Sequence, residues 1–315
     1  MNAFPQGADA LLPPDMARRA EDIGVAKAAI DTGRLLVLAA LAGAFIALGG
    51  VFATVALAGT AGAPWGPARV LAGLVFSLGL ILVLVGGAEL FTGNNLIVMA
   101  WAARRVTTRT LLRNWAIVFA GNFVGAVAIA GLVWAGRSHE LGGGALGVAA
   151  VGIAAAKVRL GFAQAVALGI LCNLLVCLAV WLTFSARTTT DRILAIVPPI
   201  SAFVAAGFEH SVANMYFVPL GLLIARFDPA FIAAHDLTSA AAALSWTGFL
   251  AGNLLPVTIG NVIGGTVLVG AVYWFVYLRR PEAPAGPRAA PALALAMHAL
   301  RDERGARDRH DASAP

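Results

Sequence analysis

Two apolar stretches, residues 70–102 and 194–224, are each interrupted by a short polar run. The first holds Gly87-Ala88-Glu89-Leu90-Phe91-Thr92-Gly93-Asn94 and the second Gly207-Phe208-Glu209-His210-Ser211-Val212-Ala213-Asn214. An ionisable group inside an apolar segment is expensive, so a carboxylate beside an imidazole there points to a passage or a binding site. With an unperturbed pKa of about 6.5, His210 can change charge as a weak-acid anion arrives. The same pair also suits a structural role, in which Glu209 and His210 hold two broken helix ends together. No nucleophile triad or metal-ligand cluster accompanies His210, which argues against a membrane enzyme; no catalytic residue, metal site or cofactor is expected. Cys172 and Cys177 lie five apart in another apolar segment, a spacing that gives neither a disulfide framework nor a CxxC motif.

The elements that must position these residues are membrane helices. Of 315 residues, 60% are hydrophobic and 12% charged, and the mean hydropathy of +0.84 lies outside the soluble range. A net charge of +6 and a pI of about 10.1 would suit nucleic acid in a soluble protein. Here the charges sit in loops and tails where membrane topology accounts for them, so no nucleic-acid partner is expected. Six segments satisfy the requirement of about 20 apolar residues per span: 35–58, 70–102, 111–135, 160–184, 194–224 and 244–276. The second and fifth are too long for one simple span. Arg18, Arg19, Lys27 and Arg34 precede the first; Arg104, Arg105, Arg109 and Arg113 follow the second; Arg187 and Arg192 follow the fourth; Arg279 and Arg280 follow the sixth. The positive-inside rule makes all of these cytoplasmic, with both termini inside. Lys157 then falls on the opposite side, in the loop before the fourth span.

The first apolar run begins after Arg34, too late and too long for a secretory signal peptide. Three parts are therefore expected. Residues 1–33 form a cytoplasmic segment with an amphipathic helix near 15–30 on the membrane surface, 34–280 form the six-helix transmembrane domain, and 281–315 form a cytoplasmic, disordered tail.

The two polar runs share Gly-x-Glu at an offset of 120 (209 − 89). Asn114, Gly121, Asn122 and Gly125 in the third span recur as Asn253, Gly260, Asn261 and Gly264 in the sixth, at a constant offset of 139 (253 − 114). Three spans followed by three related ones have opposite topology, because an odd number of crossings flips the second half. Transport proteins built this way place their sites near the midplane, at helices broken in corresponding positions. Glu89 and Glu209 are the carboxylates inside spans, and both are expected to be hydrogen-bonded to backbone or Ser/Thr/Asn groups that shape the breaks.

With Gly87 to Gly93, Gly121-Asn122-Phe123-Val124-Gly125, Gly169 to Cys177, Gly207 to Met215 and Asn253 to Asn261 in view, the chain resembles the formate/nitrite transporter family over about residues 20–280. The resemblance implies an all-α integral membrane fold: six transmembrane helices in an inverted 3+3 repeat, aquaporin-like, with broken second and fifth helices, assembled as a homopentamer with a pore in each protomer. It implies that His210 is the central pore histidine, with Thr92 and Asn173 as polar neighbours. Phe76 and Phe203 would form the outward constriction and Leu80 and Leu90 the inward one. Lys157 would sit at the outer vestibule, while Glu89, Glu209, Gly93 and Asn214 would shape the broken helices. Phe208 and the run from Asn253 to Gly260 look closer to the formate branch than to the nitrite branch.

The expected function is a channel or transporter in the cell inner membrane for a small monovalent anion, formate first, with nitrite, hydrosulfide or short-chain carboxylates as alternatives. Its partners would be the anion, protons, the lipid bilayer and further copies of the chain. Either proton transfer or a charged hydrogen bond from His210 would let the anion cross. A neutral-solute channel of aquaporin type is the reading from a different class, and the chain lacks the paired Asn-Pro-Ala boxes that such a channel would show.

Overall fold

In hydrocarbon a backbone must satisfy its own polar groups, and a helix does so within one segment. The computed structural model describes residues 10–60 and 62–279, and all regular structure within them is helical. The expectation for 281–315 lies outside the described residues. The first half runs α1 (Pro13–Ala28), α2 (Thr32–Leu57), α3 (Trp65–Gly86), the short α4 (Phe91–Asn94), a 3-10 turn and α5 (Val98–Ala102), then α6 (Thr108–Ala135). The second runs α7 (Ala145–Val158), α8 (Phe162–Ser185), α9 (Thr189–Ala205), α10 (Ser211–Phe227), the short α11 (Pro229–Ala234) and α12 (Thr238–Ala242), and α13 (Gly248–Tyr277).

By length and composition α2, α3, α6, α8 and α13 are long and apolar enough to cross a membrane. The second expected span is α3 continued by α4 and α5, and the fifth is α9 continued by α10. Local chemistry sets several of the starts. The Asp31 side chain accepts from the Arg34 amide at the head of α2, Thr107 caps α6, and Thr188 with Asp191 forms a capping box on α9. The breaks begin at glycines. Gly87 has φ +82° and Gly207 φ +75°, left-handed values that stop a helix and that L side chains rarely adopt.

The long helices pack backbone against backbone, α2 on α6 and α8 on α13. A Cβ placed on Gly125 would fall 1.9 Å from the Ala40 carbonyl oxygen, and one on Gly43 2.0 Å from that of Asn122. In the second half a Cβ on Gly260 would fall 2.2 Å from the Val166 oxygen and one on Gly264 2.3 Å from that of Ile170. Small residues thus let these helices approach as membrane helices do when no hydrophobic force pulls them together.

Two elements depart from the sequence reading. The apolar face of α1, expected on a membrane surface, is buried against protein: Met16, Ala17 and Ala20 join a cluster with Leu96, Met99, Cys177 and Trp181. Its polar face is tied down as well, Arg105 donating to Glu21 and Asp22. Residues 145–158, read as loop, form α7; at 14 residues it is too short for a rule based on spanning length. Beyond α7's loop side, His139 Nε2 lies 3.1 Å from Asp228 Oδ2 and joins the α6–α7 connection to the end of α10. The Phe231 amide and His139 hold the Asp228 carboxyl below the usual carboxylate range.

Close packing makes a direct test. Gly125→Ala is expected to lower stability by about 1–3 kcal/mol through overpacking, whereas Gly131→Ala on the same helix, where a Cβ meets nothing within 4 Å, keeps or raises it. Thermal unfolding of the detergent-solubilised protein distinguishes the two.

Candidate functional site

A break in a membrane helix strands backbone N–H and C=O groups, and two asparagines take up those groups here. Asn122 Oδ1 accepts from the Phe91 amide at 2.9 Å while its Nδ2 donates to the carbonyls of Ala39 (2.7 Å) and Glu89 (2.9 Å). Asn261 repeats this: its Oδ1 accepts from the Ser211 amide at 2.9 Å, and its Nδ2 donates to Gly169 (2.8 Å) and Glu209 (2.9 Å). The amides of Glu89 and Glu209 complete the match by donating to Leu38 and Leu168.

The carboxylates are equally paired. Glu89 accepts from Lys27 Nζ at 2.7 Å and from Asn94 Nδ2 at 2.8 Å; Glu209 accepts from Lys157 Nζ and from Asn214 Nδ2, each at 2.7 Å. Asn114 and Asn253 donate to the backbone carbonyls of Lys27 and Lys157 and accept from Asn94 and Asn214. Glu89 and Glu209 are each 5% exposed, so an unpaired charge at either position would be costly. The halves differ at the lysines. Lys27 also reaches Asn94 Oδ1 at 3.0 Å, but Lys157 makes no such bond, and the buried Asn214 Oδ1 is left without a donor. Lys157 instead lies 5.5 Å from the centre of the Phe217 ring.

Two cavities of about 260 Å³ each approach the breaks. One is lined by Lys27, Leu80, Glu89, Leu90 and Gly93, with Arg19 and Arg192 at its walls. The other is lined by Arg69, Phe76, Lys157, Phe203, Glu209 and His210. The expected constriction residues therefore fall in pairs, the two leucines on the first cavity and the two phenylalanines on the second. Phe76 and Phe203 meet edge to face with centroids 5.7 Å apart, and Phe203 stacks on His210 at 5.9 Å. All four constriction residues are buried.

His210 is held by both ring nitrogens. As the residue before α10 its Nδ1 accepts from the Ala213 amide at 3.0 Å, which requires a lone pair on Nδ1. The neutral ring then carries its hydrogen on Nε2, 3.0 Å from Thr92 Oγ1. Asn173 stands behind Thr92 and is spent internally: its Nδ2 donates to Asn95 Oδ1 (2.8 Å), the Asn261 carbonyl (2.6 Å) and the Thr92 carbonyl (3.3 Å). It thus fixes the Thr92 backbone and makes no bond to His210. Cys177 supports the same carbonyl, its Sγ donating to Thr92 O at 3.3 Å.

The structure joins His210, Thr92, Phe76 and Phe203 in one place, and puts Lys157 with Glu209 and Asn214 beside them. Lys157 lies in the last turn of α7, not in a loop, and its charge is met by Glu209. Lys27 and Asn95 escaped the sequence reading. A signal for Lys27 existed: Lys27 and Lys157 are the only lysines in the chain. They also sit 130 apart (157 − 27), the same offset that relates Leu38 to Leu168 and Ala39 to Gly169 in the bonds above. Among the described residues one group, His139, Glu140 and Asp228, has three ligand atoms close enough to share a metal ion. Glu140 there is paired with Arg137, and Asp228 caps α11 through the Phe231 amide.

The family model described as "Formate/nitrite transporter" matches residues 14–275. The chain is 45% identical over 276 residues to "Formate channel FocA" of Escherichia coli (strain K12), covering 87% of this chain and 97% of that protein. It is 37% identical over 289 residues to "Probable formate transporter" of Methanothermobacter thermautotrophicus, covering 85% of this chain and 97% of the relative. The solved structure described as "Pentameric formate channel with formate bound" superposes with a TM-score of 0.74 at 42% identity, over 79% of this chain and 98% of that one. The apolar helices and these relatives identify an integral membrane protein.

The ion pairs give a quantitative prediction. Lys157→Met strands the Glu209 charge and is expected to cost about 3–5 kcal/mol. Adding Glu209→Gln restores most of that loss, a coupling that a double-mutant cycle on thermal unfolding measures.

Proposed function

The chain is a member of the formate/nitrite transporter family, and from that premise we propose that it is a homopentameric channel for small monovalent anions, formate first, in the cell inner membrane. The observation that carries this reading is the contact of His210 Nε2 with Thr92 Oγ1 at 3.0 Å, a polar station flanked by the buried pairs Phe76 with Phe203 and Leu80 with Leu90. The similarity to a solved pentameric formate channel supports the substrate and the assembly. The matching bonds of the two halves support an inverted repeat of three spans each. The basic connections around Arg104 to Arg113 and at Arg187 and Arg192 support a cytoplasmic position for the Lys27 cavity and both termini. Residues 1–33, 34–280 and 281–315 then serve as cytoplasmic lead-in, channel domain and cytoplasmic tail.

An anion enters the Lys157 cavity and sheds water at the two phenylalanine rings, since an apolar constriction passes an ion only when it gives up its hydration. A bare anion in hydrocarbon is costly. The Nε2 hydrogen of His210 and the Thr92 hydroxyl replace the lost water as donors. Of the two roles open to His210, proton transfer and hydrogen-bond donation, the geometry supports the second. A proton on Nδ1 would face the Ala213 N–H and lose the cap of α10, so the ring works as a neutral donor. The proton that neutralises the anion comes with it from solution: carboxylate plus proton gives the acid, and His210 is unchanged. The acid leaves past Leu80 and Leu90 and ionises again in the Lys27 cavity.

Stopped-flow flux into proteoliposomes between pH 5 and 8 tests both parts. Formate is expected to pass faster than nitrite or hydrosulfide and to be stimulated by acid. His210→Asn keeps an N–H donor and is expected to retain acid stimulation at reduced flux, while His210→Leu loses at least tenfold. If His210→Asn passes formate with no pH dependence, the ring itself carries the proton. If wild-type protein passes water but no anion, the anion-channel reading is wrong.

A further inference from the structure

The cavity on the Lys157 side holds two cations and one carboxylate, and the pairing decides which cation is free to act on an arriving anion. Lys157 Nζ sits 2.7 Å from Glu209 Oε1, so that pair carries no net charge. Arg69, in the first turns of α3, is paired with carbonyls instead. Its Nη2 donates to Val204 O at 2.6 Å and its Nε to Ala205 O at 3.4 Å, both at the C-terminal end of α9. No carboxylate of the described residues lies within 4.0 Å of its guanidinium. The sum over Arg69, Lys157 and Glu209 is +1 (1 + 1 − 1), and the surplus rests on Arg69. The partial negative end of α9 offsets some of it, roughly half a charge.

The guanidinium is also built to receive an anion. It has five N–H donors in a fixed fork, of which the two carbonyls use two. Its carbon lies 5.9 Å from the centre of the Trp65 ring, which holds the group over that face. Gly207 lies beside it: a Cβ there would come to 3.5 Å from Arg69 Nη2, ordinary van der Waals contact, so the bare glycine leaves that edge of the fork without a side chain against it. A planar fork matches a carboxylate or other small oxyanion in a way that an ammonium does not.

We propose that Arg69 is the capture residue of this mouth: it draws the small oxyanion into the cavity and hands it toward Phe76, Phe203 and His210, while Lys157 holds Glu209 in place. This rests on the anion-channel reading above. Capture by an uncompensated charge depends on ionic strength, because salt screens it, whereas a buried ion pair is screened far less.

The test is the initial rate of formate entry into proteoliposomes against formate concentration, at low and high ionic strength. The comparison is of wild type with Arg69→Gln and Arg69→Lys. Arg69→Gln is expected to raise KM about tenfold, change the maximal flux less than twofold, and flatten the salt dependence of KM. Arg69→Lys keeps the charge without the fork, so it is expected to retain the salt dependence with KM between the other two. If Arg69→Gln does not assemble, the lysine variant decides, and a KM equal to wild type at both ionic strengths overturns the proposal. Unchanged KM and salt dependence in Arg69→Gln overturns it while leaving the channel reading intact. Absence of any anion flux in wild type overturns both.

Discussion

Everything in this molecule depends on one requirement: a helix broken inside hydrocarbon must find partners for the backbone groups it releases. Asn122 and Asn261 meet it in the same way, each with one amide side chain that spans the break and ties it to the neighbouring long helix. The carboxamide is suited to this because it accepts and donates at once and carries no charge. Without the two clamps there is no fixed place for Thr92 or His210, since both residues stand on backbone that the asparagines hold. The close approach of α2 to α6 and of α8 to α13, possible only where glycine faces a carbonyl, brings the clamps within reach.

Charge is managed by the same duplicated frame. Two carboxylates lie at membrane depth, and each is answered by a lysine from the helix that opens its half, so that neither stands as a bare charge. This explains why α1 is part of the body and not a float on the membrane surface: α1 delivers Lys27 to Glu89 as α7 delivers Lys157 to Glu209. Pairing turns what would be an electrostatic barrier into a neutral support. What remains polar between the two cavities is one imidazole and one hydroxyl, His210 against Thr92, with Phe76 and Phe203 lining one cavity and Leu80 and Leu90 the other.

Much of this was legible in the sequence because it is written in short-range patterns. The spans follow from apolar length, the breaks from Gly-x-Glu inside those lengths, and the pairing of Asn122 with Asn261 from a constant offset. His210 stood out as an imidazole where none is cheap, and the structure places it at the second break, against Thr92. What could not be read was which groups the fold brings together from afar. Lys27 looked like one more positive charge on an amphipathic helix, and only the packing of α1 shows its target 62 residues away. Asn173 looked like a pore residue because of its family position, yet three acceptors around its amide show it bracing the Thr92 loop. The helix α7 was hidden by its own brevity, since a segment that does not span gives no spanning signal.

The two breaks are equivalent in backbone but not in chemistry. The position that carries His210 in the second carries Leu90 in the first, 120 residues earlier (210 − 90). On the reading proposed above, a solute coming from one side meets aromatic rings and then an imidazole; from the other it meets aliphatic side chains and then a hydroxyl. Such a lopsided path invites the idea of a valve, but microscopic reversibility forbids it. Every barrier met going in is met in reverse order going out, so the order of side chains sets how fast the traffic equilibrates and leaves its end point alone. For any such passive passage the direction of net flow belongs to the gradients of whatever crosses it, and a cell with reversed gradients would find the same protein working the other way.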